Sequence, residues 1–489
     1  LLLAEAFWLM EGYFVRTLGM HRVYNSAFMN MLRNEDNAGY RTLIKNTLEF
    51  DPEILKRYVN FMNNPDEKTA VEQFGKGDKY FGICTVMSTI PGLPMFGHGQ
   101  LEGYSEKYGM EFKRAYWEET PDPYLLERHE REIFPLLHRR AVFAGVEEFL
   151  LYDFFTPEGG VDENVYAYSN GLGYERALVV FNNRFDSTRG WIKTSSPVAV
   201  KRGSGDRNLI QRSLAEGLNL HPAENTYVIL QDQITHLEYI FSTNELRDQG
   251  LYLQLNGYKV LVFMNIREVV DSEWHTYRQV CSYLNGRGVP SVEEAMQELT
   301  LQPVHAPFQQ IANPGYFTYL MENRATAAKP EISSAVLEEA DRKMTHLLDG
   351  IAYLHHVGEN RDAIRAELGK SLRFILTLPV VDRELPLKGK ALKKAFESLR
   401  ESIDAQPMDS WFVMLGWAFT HHLGKMAGER GFAQQSQSWF DEWKLGKTLA
   451  ECGVALGMEE DNAWRLVATL RMMILQQGWY SRSGSLTAR

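Results

Sequence analysis

The chain opens on an apolar run, Leu1-Leu2-Leu3-Ala4-Glu5-Ala6-Phe7-Trp8, with one carboxylate beside two aromatic residues. Such a run predicts a buried β-strand of a parallel sheet, because strands covered on both faces read as near-continuous hydrophobic stretches. Left alone, it would expose unpaired backbone and apolar side chains. No initiator methionine, polar lead-in or helix cap precedes it. The expectation is therefore that the sequence begins inside a domain whose first part lies upstream.

The following segments keep a strand–helix rhythm to about residue 146. Further strands are predicted over His21–Ser26, Arg57–Asn63 and Leu93–Gly97. An amphipathic turn is expected over Gly12–Leu18, and helices over Ala38–Glu49, Glu67–Phe74, Asp78–Ser88 and Tyr124–Phe143. Alternation at this spacing predicts a parallel α/β sheet. From about 147 to 270 the pattern changes to short runs: Val165–Tyr168, Ala177–Asn182, Thr226–Leu230, Leu237–Phe241, Leu251–Leu255 and Tyr258–Phe263. Turn signals fall at Asn170-Gly171, Asn182-Asn183 and Asn256-Gly257. These predict an antiparallel β-sandwich with an exposed loop over Lys201–Asn208. From 271 to 489, apolar residues recur at three- and four-residue intervals. Helices are predicted over Ser334–His356, Arg361–Thr377, Lys388–Ser402, Ser410–Met426, Trp439–Cys452 and Asp461–Gln477. Asp461 is the expected N-cap of the last, and Gly453 and Gly478 are the expected stops. The predicted class is thus α/β over 1–146, an antiparallel β-sandwich over 147–270 and an all-α region over 271–489.

Composition narrows the function. A formal net charge of -11 argues against nucleic-acid binding by phosphate neutralisation. The 23 Tyr, 10 Trp and 26 Phe favour a ligand with flat apolar faces, such as a sugar. Cys84, Cys281 and Cys452 lie too far apart for a disulfide framework or a zinc spacing, and suit a reducing, cytoplasmic compartment. Trp411–Leu423 is too short and too polar to span a bilayer. No cofactor or metal is expected. The adjacent pairs His355-His356 and His421-His422 point about 100° apart on helices and make poor metal sites.

Three places can carry chemistry. Glu5, flanked by Leu3, Phe7 and Trp8, is expected to be poorly solvated and so to hold a proton near neutrality, as a general acid must. The plainer reading is a strand-end carboxylate paired to an arginine. Asp66 follows an apolar strand and a polar knot, Asn63-Asn64-Pro65-Asp66-Glu67; parallel strands converge on one mouth, so it can face the same site as Glu5. Alternatively, Asn64 or Asp66 caps the next helix. The third segment, Pro91 to Gly103, carries glycines at 97, 99 and 103 that let backbone approach closely. His98 or Glu102 could touch a substrate there, or the segment could be a structural loop. His21, Tyr24 and Asn25 lie on the short second strand, where they could reach the same mouth or satisfy local hydrogen bonds.

In their order, these segments resemble the second half of the catalytic barrel of glycoside hydrolase family 13, the α-amylase family. The resemblance covers residues 1 to about 270 and makes the α/β region strands five to eight of a TIM-type barrel. Ala4-Glu5 is similar to the end of strand five, which carries the family's acid/base Glu. His21-Arg22-Val23-Tyr24-Asn25 is similar to the strand-six motif, and Asn63-Asn64-Pro65-Asp66 to the strand-seven motif. Pro91-Gly92-Leu93-Pro94 and Gly99-Gln100-Leu101-Glu102-Gly103 are similar to strand eight and its sequel. Ala4–Asn30 looks most like maltosyltransferase- or amylase-like members. The helical region matches nothing we can name.

The resemblance implies Glu5 as general acid/base and Asp66 as transition-state stabiliser, with Phe7, Trp8, Tyr24, Asn64, Gln100 and Glu102 binding an α-glucan or maltooligosaccharide. It implies a retaining enzyme acting on α-1,4-glucosidic bonds by hydrolysis or transfer. Two departures matter. Pro65 stands where the family usually has His, so a donor to substrate hydroxyls is lost. The family's nucleophile belongs to strand four, upstream of Leu1. A non-catalytic glucan-binding or scaffolding protein with a degenerate barrel is the alternative. Either way, residues 1–146 are expected to form a partial, open sheet. Nothing in the sequence addresses the oligomeric state.

Overall fold

The computed structural model describes residues 2–5, 10–107, 113–201, 207–358, 360–380, 389–405 and 407–476. The chain divides into two compact units, Leu1–Met296 and Gln297–Arg489.

In the first unit, four short strands form a parallel sheet in the order β1 (Leu3–Ala4), β2 (Arg22–Tyr24), β3 (Tyr58–Phe61), β4 (Leu93–Met95). The register pairs Ala4 with Val23, Tyr24 with Val59 and Phe61 with Met95. Helices supply the crossovers: α1 (Glu11–Arg16), α2 (Ser26–Arg33), α3 (Asn37–Phe50), α4 (Ala70–Phe74) and α5 (Asp78–Thr89). The strand–helix order is the expected one, and the sheet is open. The opening run is not covered on both faces, however. β1 pairs only with β2 among the described residues, and Leu2 and Leu3 are 58% and 50% exposed. Phe7 and Trp8 lie outside the described residues.

α2 was not anticipated. It starts because Asn25 ends β2 and its side chain accepts from the Phe28 N–H, capping the helix at the strand's exit. The long helix expected over Tyr124–Phe143 is instead broken into Pro123–Arg128, a π-helical turn His129–Ile133, Phe134–His138 and Ala141–Ala144. Pro135 has no N–H to bond the Arg131 carbonyl, which interrupts the α-helical ladder.

The strands of the antiparallel part are hydrogen-bonded into one continuous sheet of eight. Its strands are β5 (Leu150–Phe155), β6 (Val165–Leu172), β7 (Glu175–Asn182), β8 (Thr188–Ser195), β11 (Thr226–Asp232), β12 (Glu238–Ser242), β13 (Leu251–Leu255) and β14 (Val260–Val270), in the order 12-11-14-7-6-5-8-13. A separate ribbon pairs β9 (Val198–Lys201) with β10 (Arg207–Ile210); within the loop expected at Lys201–Asn208, residues 202–206 lie outside the described residues. Asn170-Gly171 does not turn. Asn170 is buried and donates to the carbonyls of Phe143 and Gly145, so β6 continues to Leu172 and the turn falls at Gly173 (φ +61°).

One apolar core runs from Ala4 to Met264, joining the parallel sheet, its helices and the antiparallel sheet. Polar side chains fasten α3 to that sheet. Arg41, fully buried, donates to Glu163 (2.6 Å), to the Val165 carbonyl (2.6 Å), to the Tyr152 carbonyl and to Asp153. Asn37 donates to Asn164 (2.9 Å) and to the Asn183 carbonyl (3.0 Å). Gly82 in α5 marks a close helix–sheet approach: a Cβ there would lie 2.0 Å from the Phe181 ring.

The second unit is helical, with Pro314–Glu322, Ser334–His355, Arg361–Thr377, Lys390–Ala405, Pro407–Thr420, Phe432–Glu442, Leu445–Ala455 and Glu460–Leu475. The helix expected over Trp439–Cys452 is two helices, because Lys444 adopts a left-handed conformation (φ 51°) between them. Gly453 is no stop. It lies inside its helix, packed on Ala463 and Phe412, and Gly457 (φ +96°) follows the helix end. Asp461 does not cap the last helix; Glu459 occupies that position. Gly478 lies outside the described residues. The core contains Trp411, Trp417, Trp439 and Trp443.

Within that core, His421 is fully buried and stacked on Trp417, with centroids 3.6 Å apart. Its Nδ1–H donates to the Trp417 carbonyl (2.7 Å), and Nε2 lies 3.3 Å from Ser371 Oγ. His422 Nδ1 stands 3.2 Å from the Glu367 carboxylate, which also accepts from Lys425 (2.8 Å). Among the described residues, no group of three or more His, Cys, Asp or Glu is arranged to hold a metal ion. No described helix is long and apolar enough to cross a membrane.

Candidate functional site at the strand ends

Because β1 to β4 run parallel, their C-terminal ends share one edge. That edge collects Glu5 after β1, Asn25 after β2, Met62–Asp66 after β3 and Phe96–Gly103 after β4. A chain of buried amides stiffens it. Asn25 Nδ2 donates to Asn60 Oδ1 (2.9 Å), and Asn60 Nδ2 donates to the Pro91 carbonyl (3.1 Å). The ring of Tyr24, half-buried, meets Phe61 edge-on at 5.6 Å. Gly97 packs against Asn63 where a Cβ would come within 2.4 Å of Asn63 Oδ1. Asn63 is itself buried, and among the described residues its Oδ1 accepts no hydrogen bond. A buried, unsatisfied acceptor is costly and uncommon.

The residues singled out from the sequence fare differently. Glu5 is exposed; Phe7 and Trp8, the aromatic residues expected to enclose its carboxyl, lie outside the described residues. Asp66 is exposed, on the turn after β3. Asn64 spends its Oδ1 on the N–H groups of Asp66 (3.1 Å) and Glu67 (3.0 Å), shaping that turn. Gln100 is 1% exposed and fully engaged: Oε1 accepts from the Gly97 N–H (3.1 Å), Nε2 donates to Met62 Sδ (3.3 Å) and its carbonyl accepts from Tyr80. Asn64 and Gln100 therefore brace the edge instead of reaching out from it. Glu102 is half-buried, with its carbonyl accepting from the Asp122 N–H (2.8 Å). His21 accepts from the Leu2 N–H at Nδ1 (3.1 Å). Phe7 and Trp8 lie outside the described residues.

A buried network supports the β4 loop from beneath. The Tyr80 hydroxyl donates to the Gln100 carbonyl (2.8 Å) and lies 3.2 Å from His129 Nε2, while His129 Nδ1–H donates to the Leu125 carbonyl (2.8 Å). Burial holds His129 below the ordinary histidine range and so keeps it neutral. One turn on, burial raises Glu132, but Arg128 and Arg131 outweigh it and hold the carboxyl below its ordinary value.

The feature not anticipated is an aromatic pair on the rim. Tyr116 and Trp117 are 70% and 58% exposed. Their backbone N–H groups are both held by the Glu106 carboxylate (2.7 and 2.9 Å). In return, the Glu119 carboxylate accepts from the N–H groups of Ser105 (2.7 Å) and Glu106 (2.8 Å). The two strands of this loop are thus cross-braced under two exposed rings. The neighbouring Lys107 donates to the Asp66 carbonyl (2.7 Å), tying the brace to the turn after β3. The available signal was two adjacent aromatic residues in an otherwise charged segment, Lys113–Glu119.

No family model matches this sequence, and no curated protein matches it. Among solved structures, the chain is similar to an α-amylase from Geobacillus thermoleovorans complexed with acarbose. Identity is 11% over 54% of this chain and 53% of that one, with a TM-score of 0.36. It is also similar to a debranching enzyme from Nostoc punctiforme (14%, 54% and 51%, TM-score 0.36). A third is CldA, a cyclomaltodextrin glucanotransferase of three-domain ABC distribution (19%, 55% and 50%, TM-score 0.34). The chain spans about half the length of these structures.

Proposed function

We propose that the C-terminal edge of the four-stranded parallel sheet binds an α-glucan, as part of a retaining enzyme of the α-amylase type. The observation that carries this reading is the braced aromatic pair, Tyr116 and Trp117, tied by Lys107 to the Asp66 turn. Pyranose rings present an apolar C–H face to such rings and hydroxyls to neighbouring carboxylates. In this reading Glu5 protonates the leaving oxygen, and Asp66 holds ring hydroxyls and stabilises the oxocarbenium-like state. A retaining reaction needs a second carboxyl about 5–5.5 Å from the donor. On this reading, that attacker belongs to a strand N-terminal to β1.

A second reading, glucan binding without chemistry, uses the same surface. It is favoured by Pro65 beside Asp66 and by the complete engagement of Gln100 within the protein. Affinity electrophoresis through gels containing amylose or glycogen tests what both readings share. The chain is expected to be retarded. Trp117→Ala should weaken retention about tenfold, a loss of about 1–1.5 kcal/mol for one aromatic contact. Absence of retardation, or retention unchanged in both Trp117→Ala and Tyr116→Ala, contradicts the proposal. Release of shorter oligosaccharides from maltoheptaose by a chain extended to include the strand that carries the attacker, abolished by Glu5→Gln, separates the enzyme from the binding protein.

A further inference from the structure

β8 and β13 pair with Trp191 opposite Tyr252. Alternation turns Gly190 and Ile192 on β8, and Leu251 and Leu253 on β13, into the core. Trp191 and Tyr252 therefore face outward together, Tyr252 at 38% exposure. Their rings meet at 52° with centroids 4.9 Å apart, so they do not cover one another face to face.

They line a cavity of about 490 Å³ together with Glu245, Gln249, Ser282 and Asn285. That volume lies within the ~300–1,000 Å³ of small-ligand sites. Among the described residues, the side chains of Glu245, Gln249 and Asn285 make no hydrogen bond or ion pair to the protein. Glu245 supplies the one carboxylate among these four lining groups. Lys193, the next outward residue on β8, gives its ammonium to the Asp248 carbonyl.

This lining places the Glu245 carboxylate where it disfavours phosphates and carboxylates beside it. It suits a neutral ring with one apolar face and a girdle of hydroxyls: rings for the C–H face, a carboxylate to accept, and two amides and a hydroxyl that both donate and accept. We propose that the cavity between Trp191, Tyr252 and Glu245 is a non-catalytic binding site for a neutral pyranose chain. The lining chemistry alone supports this, so the site does not depend on the strand-end reading.

Calorimetric titration of the full chain with maltohexaose and cellohexaose, in a Tyr116→Ala, Trp117→Ala background that removes both rim rings, reads this site apart from the rim. Residual saturable binding of either sugar is expected. Adding Trp191→Ala or Glu245→Ala should weaken it at least tenfold, and Trp191→Phe, which keeps a ring, should retain most of it. An unchanged urea midpoint in Trp191→Ala would show that the loss is local, as its outward position predicts. Two results overturn the inference: no residual binding of either sugar, or residual binding indifferent to both substitutions. An effect of Trp117→Ala in the otherwise unaltered chain reports on the rim alone, so the two readings fail separately.

Discussion

Replacing Arg41 with alanine is expected to cost about 3–5 kcal/mol of folding free energy, the range for removing one partner of a buried ion pair. The guanidinium is fully buried and serves two carboxylates and two main-chain carbonyls on the antiparallel sheet. Removing it orphans the buried carbonyls of Tyr152 and Val165 and opens a void beneath α3. Asp153 and Glu163 keep partial access to water, with side chains 23% and 42% exposed. Their loss is correspondingly softened, which places the expectation at the lower end of the range. Lys45, which also reaches Asp153 (2.7 Å) but is itself 25% exposed, is the control. Lys45→Ala should cost under about 1 kcal/mol. Urea denaturation of the full chain, followed by circular dichroism, measures both. A cost below about 1 kcal/mol for Arg41→Ala would show that α3 is held by apolar packing alone.

The second large effect is acid sensitivity of the helical unit well above the carboxylate range. Burial, with help from the neighbouring His422 charge, drives His421 well below its ordinary value. Burial and the Lys425 ammonium lower His422 to about 4. A histidine whose folded value is depressed is neutral in the fold and takes its proton first in the unfolded chain. Its stabilisation is complete above about pH 6.5, the unfolded value, and is lost as pH falls from there toward the folded value. Each such residue removes about 1.4 kcal/mol per pH unit across that window. His422 alone accounts for about 3 kcal/mol between pH 6.5 and 4. Urea midpoints recorded from pH 7.5 to 4.5 should fall steadily below 6.5, and His422→Gln should flatten the slope. A profile level to pH 4.5 would contradict the assignment of a neutral, buried pair.

Local pattern and tertiary packing divide the molecule between them. α3 was legible because Asp36 caps it and its apolar spacing is regular, and β13 because Leu251, Leu253 and Leu255 alternate with polar residues. β8 was not, because Gly190 leaves a gap in its alternation where the Phe155 backbone approaches closely. The break at Pro135 was visible as a residue but not weighed against the surrounding helical period. At the site, strand ends are a matter of chain order, so Glu5 and Asp66 could be placed on one edge without coordinates. Whether a polar side chain there turns outward depends on what packs beneath it. Gln100 illustrates the point: an exposed-looking glutamine in a glycine-rich loop proves to be locked between Gly97, Met62 and Tyr80. Tyr116 and Trp117 escaped notice because their exposure comes from a brace between residues 105–106 and 116–119, which no local period announces.

Hydrogen exchange of the full chain with and without maltoheptaose tests the strand-end site most directly. The account predicts slowed exchange of the N–H groups of Asp66, Glu67, Ser105, Glu106, Tyr116 and Trp117, whose acceptors frame the rim. Saturating sugar that leaves exchange in all of these segments unchanged would contradict it.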